Sequence, residues 1–324
     1  MINQLEEKSM NKLEFICPEC QSRFNFQQDK IVCTEGHEFL VKHGIYDLLP
    51  KATKEIVKQD AIYHGSVSDL WLDLAQLETL RNLHFHQKIV NFIANHSQVN
   101  STILELGGGI GFDLELFIKT EASFKEYVFS EVAEESLFYV LKKHSERKLE
   151  KIIYARIDAH HIPFADESFD IVYMIAALHH LHDLNIALQE MKRVLKPNGF
   201  LIFGIEPNIN INKLLSSIIL RSRNILPDKE HSPADEEAEG FSLSEFNQIA
   251  KVYNLELVSI EPVWLTTGIT HYALEFIYRL LRLKKRIKLP FLMEKLFLVT
   301  DSLLFLIPGM SNFSWHYTVI YKKN

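Results

Sequence analysis

Between residues 102 and 206 the hydrophobic positions fall into short, nearly unbroken runs, and most runs are followed by a stretch in which they recur at spacings of three and four. The runs predict strands over Thr102–Leu106, Glu126–Glu131, Lys151–Ile157, Phe169–Ile175 and Phe200–Ile205. The stretches predict helices over Gly111–Lys119, Glu134–His144 and Leu184–Leu195, the last with Leu184, Ala187, Leu188, Met191, Val194 and Leu195 on one face. Lys196-Pro197-Asn198-Gly199 reads as a turn. Strands apolar on both faces, alternating with helices, predict a parallel sheet covered by helices on both sides, an α/β fold.

The flanks carry other patterns. Leu70, Leu74, Leu77 and Leu80 predict one or two helices over 69–96. After Pro207 we expect a helix near 209–222, then an acidic loop from Pro227 to Gly240 with six carboxylates. Ser242 and Glu245 form a capping box for a helix reaching Tyr253. Leu255–Ile260 and Trp315–Tyr321 read as strands. Residues 271–307 read as two apolar helices separated by a basic hinge and Pro290. The block 13–50 alternates hydrophobic residues around the cysteines, and a polar linker, Lys51 to Gln59, separates it from a main domain over 60–324.

The turn after the first strand carries chemistry. Gly107, Gly109 and Gly111 let backbone N–H groups approach a ligand closely, and the following helix N-terminus favours an anion such as a carboxylate. Glu105 precedes the loop, placed to pair with an ammonium or orient the glycines. Glu131 follows Gly111 by twenty residues at the end of the next strand, where a carboxylate can accept both hydroxyls of a ribose. A nicotinamide fingerprint would need its third glycine at position 112, which is Phe112, so that reading fails on spacing.

Several motifs in order resemble the class I S-adenosylmethionine (SAM)-dependent methyltransferases, in particular their type 11 group. They are Glu105-Leu106-Gly107-Gly108-Gly109-Ile110-Gly111, Glu131-Val132-Ala133, and Asp158-Ala159 with Ile162-Pro163-Phe164. Ser168-Phe169-Asp170-Ile171-Val172, Leu178-His179-His180-Leu181 and Leu195-Lys196-Pro197-Asn198-Gly199-Phe200-Leu201 continue the series. The resemblance covers about 101–206 and departs from the family at Glu-Val-Ala, where Asp-x-Ser is commoner. It implies a Rossmann-like, doubly wound, seven-stranded sheet whose last strand, Trp315–Tyr321, runs antiparallel. It also implies SAM as cofactor, with Glu105, Gly107, Gly109, Gly111, Glu131, Asp158, Ala159 and Ile175 as binding positions, Asp158 reading the adenine amino group.

All three cysteines lie in the first thirty-three residues, spaced Cys17-x2-Cys20-x12-Cys33-x3-His37. Three thiolates and an imidazole suit a closed, structural tetrahedral Zn2+ site; the other reading is a reduced, metal-free thiol cluster. His43 is a second choice of fourth ligand. With Gly44-Ile45-Tyr46-Asp47-Leu48-Leu49-Pro50, the block resembles the zinc ribbon heading bacterial rRNA guanine methyltransferases and the small zinc-ribbon activators of other methyltransferases. That resemblance implies RNA docking, but Arg23, Lys30 and Lys42 are offset by Glu19, Asp29, Glu35 and Glu38.

Methyl transfer is an in-line displacement at a sulfonium, helped mainly by alignment, with a base useful for a hydroxyl acceptor. Candidates near the strand ends are His180 first, then His179, His182 and Glu206; a structural role for these groups is the competing reading. Tyr63 and His64 are placed for a lid. Arg279, Arg282, Lys284, Lys285, Arg286 and Lys288 crowd ten residues among Leu, Ile and Phe. Such a segment suits an anionic membrane surface, a cap on an apolar pocket, or a helical lid with a solvated basic edge.

Bulk properties set bounds. The chain has 324 residues, 47% hydrophobic and 24% charged, with net charge −7, which weighs against a nucleic-acid partner. No secretory signal and no spanning apolar run is evident, so we expect a cytoplasmic protein with peripheral membrane contact through 271–307. Three functions stay open: a SAM-dependent methyltransferase of a small or lipid-linked acceptor, an rRNA or tRNA methyltransferase docking through the ribbon, and a non-catalytic SAM-binding scaffold.

Overall fold

The apolar runs become strands buried on both faces, and alternate residues supply two separate cores. The structure is a computed structural model describing residues 13–27, 29–66, 79–144, 150–211, 213, 240–281, 283 and 287–324. Its strands are β1 (Phe24–Phe26), β2 (Lys30–Cys33), β3 (Glu38–Lys42), β4 (Ile45–Asp47), β5 (Thr102–Glu105), β6 (Glu126–Ser130), β7 (Ile152–Arg156), β8 (Phe169–Ile175), β9 (Leu195–Pro207), β10 (Leu255–Val263) and β11 (His316–Lys323). Its helices are α1 (Glu55–Ser66), α2 (Leu80–His96), α3 (Phe112–Ile118), α4 (Glu134–His144), α5 (Leu184–Val194), α6 (Leu243–Val252), α7 (Thr266–Leu280) and α8 (Phe291–Leu304).

The strand order is β1-β2-β3-β4-β7-β6-β5-β8-β9-β11-β10. The seven from β7 to β10 form the expected α/β sheet, with β11 antiparallel to both β9 and β10. Ile103, Tyr127, Phe129, Ile171 and Ile202 face one core with Phe85, Ile89 and Ile93 of α2 and Phe117 of α3. Leu104, Val128, Val172, Leu201 and Phe203 face the other with Leu188 and Met191 of α5 and Phe246 of α6. The expected capping box at Ser242 and Glu245 is formed, both hydrogen bonds present.

Hydrogen bonding does not stop at seven strands. β4 pairs in parallel with β7, Ile45 opposite Tyr154, and β3, β2 and β1 follow antiparallel. Cys17, Ile31, Cys33, Phe39 and Leu48 lie in the same buried cluster as Val128, Val172 and Phe203. The cysteine block is thus a four-strand continuation of the main sheet, joined to it by pairing and core.

Helix bounds shift at the carboxy-terminal insert, whose first helix begins at Thr266. Of the helix expected over 209–222, the described residues show helical turn at 209–211 and 213; the acidic loop and Leu70, Leu74 and Leu77 lie outside the described residues. So do Arg282, Lys284, Lys285 and Arg286. Among the described residues no helix is long and apolar enough to cross a membrane.

One half-buried histidine makes stability pH-dependent. His316 in β11 stands edge-on to Trp264, and its Nδ1 is buried with no hydrogen-bond partner among the described residues. Burial, reinforced by His179 and His271, pushes its pKa down to about 3. The unfolded chain therefore takes up this proton near pH 6.5 while the folded chain resists it, so stability is complete above that pH and falls as the pH drops toward 3. Between pH 7 and 5 the loss is expected to be on the order of 1–2 kcal/mol. Urea unfolding at the two pH values should show it, and His316→Phe should flatten it; an equal pH slope in the variant would refute the assignment.

Candidate functional site

The parallel strands end on one side of the sheet, and the loops leaving them surround a cleft of about 270 Å3. The loop Gly107-Gly108-Gly109-Ile110 after β5 forms one wall. Its course depends on φ of +66° at Gly107, +53° at Gly109 and +72° at Gly111, a region costly for side chains. A Cβ on Gly107 would lie 3.0 Å from that of Ala177, and one on Gly108 would run into the Phe129 ring. At Gly109 the space is open, so there a ligand can reach the backbone. Gly111 stands behind the loop: it is the left-handed N-cap of α3 and a Cβ there would meet Val140 at 2.9 Å. It turns the chain and lies outside the cleft wall.

Glu131 fixes this loop from the next strand. One carboxylate oxygen, Oε2, accepts the Gly109 N–H at 2.8 Å; Oε1 accepts those of Val132 at 2.7 Å and Ala133 at 3.1 Å. Glu105 sits below the loop, 2% exposed, accepting from the Tyr127 hydroxyl, which also contacts the Tyr173 hydroxyl. Burial, and then the neighbouring charge of Asp113, push the Glu105 pKa well above the usual carboxylate range. Glu105 is therefore a proton-holding brace for the loop as well as part of the cleft wall.

Asp158 and Ala159, after β7, form the opposite wall with Ile157. Asp158 accepts the backbone N–H of His160 at 3.0 Å and its ring Nδ1–H at 2.6 Å. His160 Nε2 accepts the Asp183 N–H at 3.3 Å, which places the ring proton on Nδ1. Burial alone would raise the Asp158 pKa; the bonds from His160 and His161 outweigh it and hold it below the ordinary carboxylate value.

From β8 come Met174, Ile175, Ala176, Ala177 and, one turn on, His180 and Leu181. Ala176 holds φ at +52°, unusual for a residue with a side chain, at the point where the chain bends over the cleft. Of the histidines weighed from the sequence, His180 faces the cleft, whereas His179 and His182 lie outside its wall. His179 Nδ1 is bonded to Glu206 at 2.8 Å, and His182 lies against His160 with centroids 3.9 Å apart. Glu206 is fully buried and accepts the backbone N–H groups of Ala177, Leu178 and His179 at 3.0–3.2 Å. It therefore caps the turn that presents His180 and does not face the ligand space. Ile56 and Val57 of α1 line the cleft; the side chains of Tyr63 and His64 on that helix lie outside the described residues.

One pair escaped the sequence reading. His86 of α2 and Asp113 of α3 line the cleft with Nδ1 and Oδ1 2.8 Å apart, both buried. They are 27 residues apart in no local motif; the helical period of 80–96, which turns His86 inward with Phe85 and Ile89, is the signal that could have found it. With Glu131 and Asp158, Asp113 puts three further carboxyls around the space beside the Glu105 brace, a setting matched to a cationic ligand.

The cysteine cluster is a second candidate site. Four donor atoms of Cys17, Cys20, Cys33 and His37 lie within 4.8 Å of one another. Cys20 and Cys33 Sγ are 3.7 Å apart; His37 Nδ1 is 3.6 Å from Cys17 Sγ and 3.4 Å from Cys33 Sγ. Tetrahedral zinc, with bonds of about 2.3 Å to sulfur and 2.0–2.1 Å to nitrogen, needs edges of about 3.8 Å and 3.6 Å. The cluster has that size. Ser22 Oγ and the His37 N–H lie 3.1 Å and 3.2 Å from the Cys20 and Cys33 sulfurs, as thiolates would require. His43 is elsewhere, in the turn between β3 and β4 against Phe138.

Comparison with known proteins fits the cleft. A family model described as a methyltransferase domain matches residues 104–203, the span from β5 through β9 that builds the glycine loop, Glu131, Asp158 and His180. Residues 104–203 are thus similar to a methyltransferase domain. Over 113 residues that domain is 33% identical to the ubiquinone/menaquinone biosynthesis C-methyltransferase UbiE of Rickettsia prowazekii (strain Madrid E), covering 33% of this chain and 45% of that one. It is 46% identical over 56 residues to the uncharacterized protein YafE of Escherichia coli (strain K12), 17% of this chain and 27% of that protein. The chain thus spans less than half the length of either curated relative. Phosphoethanolamine N-methyltransferase 2 of Haemonchus contortus, solved with S-adenosyl-L-methionine, superposes with a TM-score of 0.52 at 15% identity, over 85% of this chain and 61% of that one. The two share the fold.

Proposed function

We propose that the protein is a SAM-dependent methyltransferase whose acceptor is an apolar or lipid-linked small molecule. The observation that carries the reading is the pairing of an open backbone at Gly109 with the Glu131 carboxylate locked against it. Glu131 would take the ribose hydroxyls, Asp158 and Ala159 the adenine, and the N–H groups around Gly109 the methionine carboxylate. The remaining carboxyls favour a ligand bearing ammonium and sulfonium charges.

SAM supplies an activated methyl when bound; the chain's part is to align the acceptor and take its proton. His180 is the imidazole we assign to that proton, with the His86–Asp113 pair on the other side of the cleft. Ile56, Val57, Met174 and Leu181 give the wall an apolar lining that suits a hydrophobic acceptor. The relative named for ubiquinone and menaquinone biosynthesis makes a prenylated quinol the first acceptor to try. We further propose that Cys17, Cys20, Cys33 and His37 hold a structural zinc. Docking of RNA through the ribbon has less support, since its four strands are spent extending the sheet and its charges are mixed.

The test uses SAM labelled in its methyl group and a prenylated naphthoquinol in detergent. Label is expected in the quinol with the wild-type chain and at background with Glu131→Ala. SAM binding by calorimetry without transfer would overturn the acceptor; no SAM binding at all would overturn the whole reading.

A further inference from the structure

Helix α8 is built inside out. Its inward face carries Glu294, Leu298 and Asp301, all buried, two of the three being acids. Its outward face carries Leu292, Leu296, Val299 and Leu303, spaced four, three and four, each 48–75% exposed. Helix α7 also carries an outward apolar stripe: Ile269, Phe276 and Leu280 are 48–59% exposed. A soluble helix buries its leucines and exposes its acids, because apolar surface in water is costly and an unpaired buried carboxylate costs more. Here α8 does the reverse, and α7 turns Thr267 and His271 inward while its apolar stripe faces out.

The inward acids are fully employed. Asp301 caps the start of α7, accepting the N–H groups of Leu265, Thr266 and Thr267 at 2.6–3.2 Å and the hydroxyls of both threonines. Glu294 receives Arg81 Nη1 of α2 at 2.5 Å, and Arg81 Nε donates to His271 of α7 at 3.2 Å. The hairpin is therefore pinned at its polar inner face to α2, the helix that brings His86 to the cleft. Its apolar outer face is held outward by design of these bonds.

Charge selects the occupant of that face. From residue 276 to 293 the chain carries six basic residues, Arg279, Arg282, Lys284, Lys285, Arg286 and Lys288, and no acidic one, in a protein of net charge −7. Lys288 and Lys295 are exposed beside the stripe. A second copy packed on the same face would bring Lys288 and Lys295 of each copy close together, whereas anionic headgroups neutralise them and the acyl layer takes the leucines. The helices, of 15 and 14 residues, are too short to span. We infer that the α7–α8 hairpin lies flat in the surface of an anionic phospholipid bilayer, with its two apolar stripes in the acyl boundary. This inference does not depend on the methyltransferase reading.

Flotation of the full-length chain with liposomes tests it. Binding is expected to vesicles of phosphatidylglycerol and phosphatidylcholine, at least tenfold weaker to phosphatidylcholine alone, and reduced by 0.5 M salt. The exposed substitutions L296E/L303E should abolish flotation, and K288E/K295E should remove the preference for phosphatidylglycerol. Unchanged circular dichroism keeps both variants comparable with wild type. Failure of the wild type to float with either vesicle overturns the inference, as does a dimer in sedimentation that L296E/L303E splits while flotation is absent.

Discussion

Glu131→Ala is expected to weaken SAM binding about a hundredfold in calorimetry. The side chain has two roles, and alanine removes both. In the structure it receives three backbone N–H groups, from Gly109, Val132 and Ala133, which tie the glycine loop to the end of β6. In the proposed complex it accepts the ribose diol. Charge-assisted hydrogen bonds contribute roughly 1.5–3 kcal/mol each, so losing a two-hydroxyl clasp costs about 3 kcal/mol, or two decades in Kd. Glu131→Gln separates the roles. Its amide keeps one acceptor for the loop but offers the diol one oxygen in place of two, so it should fall between alanine and wild type. Equal affinity in all three proteins would move the nucleoside away from Glu131. A loss in Glu131→Ala with Glu131→Gln at wild-type affinity would leave loop support as its whole contribution.

How far this site can be read from sequence follows from what each residue needs. Gly107 and Gly109 are legible because their chemistry is local: a strand, a turn with positive φ, then a helix. Glu131, Asp158 and Ile175 are legible for the same reason, each sitting at or just past the end of a strand on the side where the cleft forms. Glu206 looks identical in a sequence, a carboxylate late in a strand, yet it faces the backbone of the Leu178 turn and is fully buried. Nothing in its own neighbourhood distinguishes a cap from a ligand; the difference lies in a loop 28 residues earlier. His86 and Asp113 escaped because their bond is tertiary. The hairpin is the reverse case. Its basic cluster is visible as composition, but its inversion is visible only once Glu294 and Asp301 are seen to face Arg81 and the start of α7.

The junction of the cysteine block with the sheet was also invisible, since Lys51 to Gln59 reads as a linker and parallel pairing of three-residue β4 leaves no periodic trace. That junction sets the second large effect. The protein is expected to contain one zinc per chain, and Cys20→Ser or a strong chelator should lower the melting temperature by on the order of 10 °C. Cys20 is the informative ligand because its side chain is only half-buried, so serine there removes a thiolate without opening a core cavity, as it would at Cys17 or Cys33. The four donors connect the turn at 17–20 to the one at 33–37, adding to the short pairing of three-residue β1 with four-residue β2. Without the metal the thiolates repel and the small sheet loses its clamp. Release of β4 would then uncover the edge of β7, where Tyr154 and Ala155 lie buried among apolar neighbours, and an unpaired apolar edge invites association. Aggregation by light scattering should therefore accompany zinc loss in Cys20→Ser, while His43→Ala, outside the cluster, should keep its zinc. A wild-type chain free of metal by elemental analysis, with a melting temperature indifferent to chelator, would leave the cluster as three reduced thiols and a histidine holding the sheet edge by packing alone.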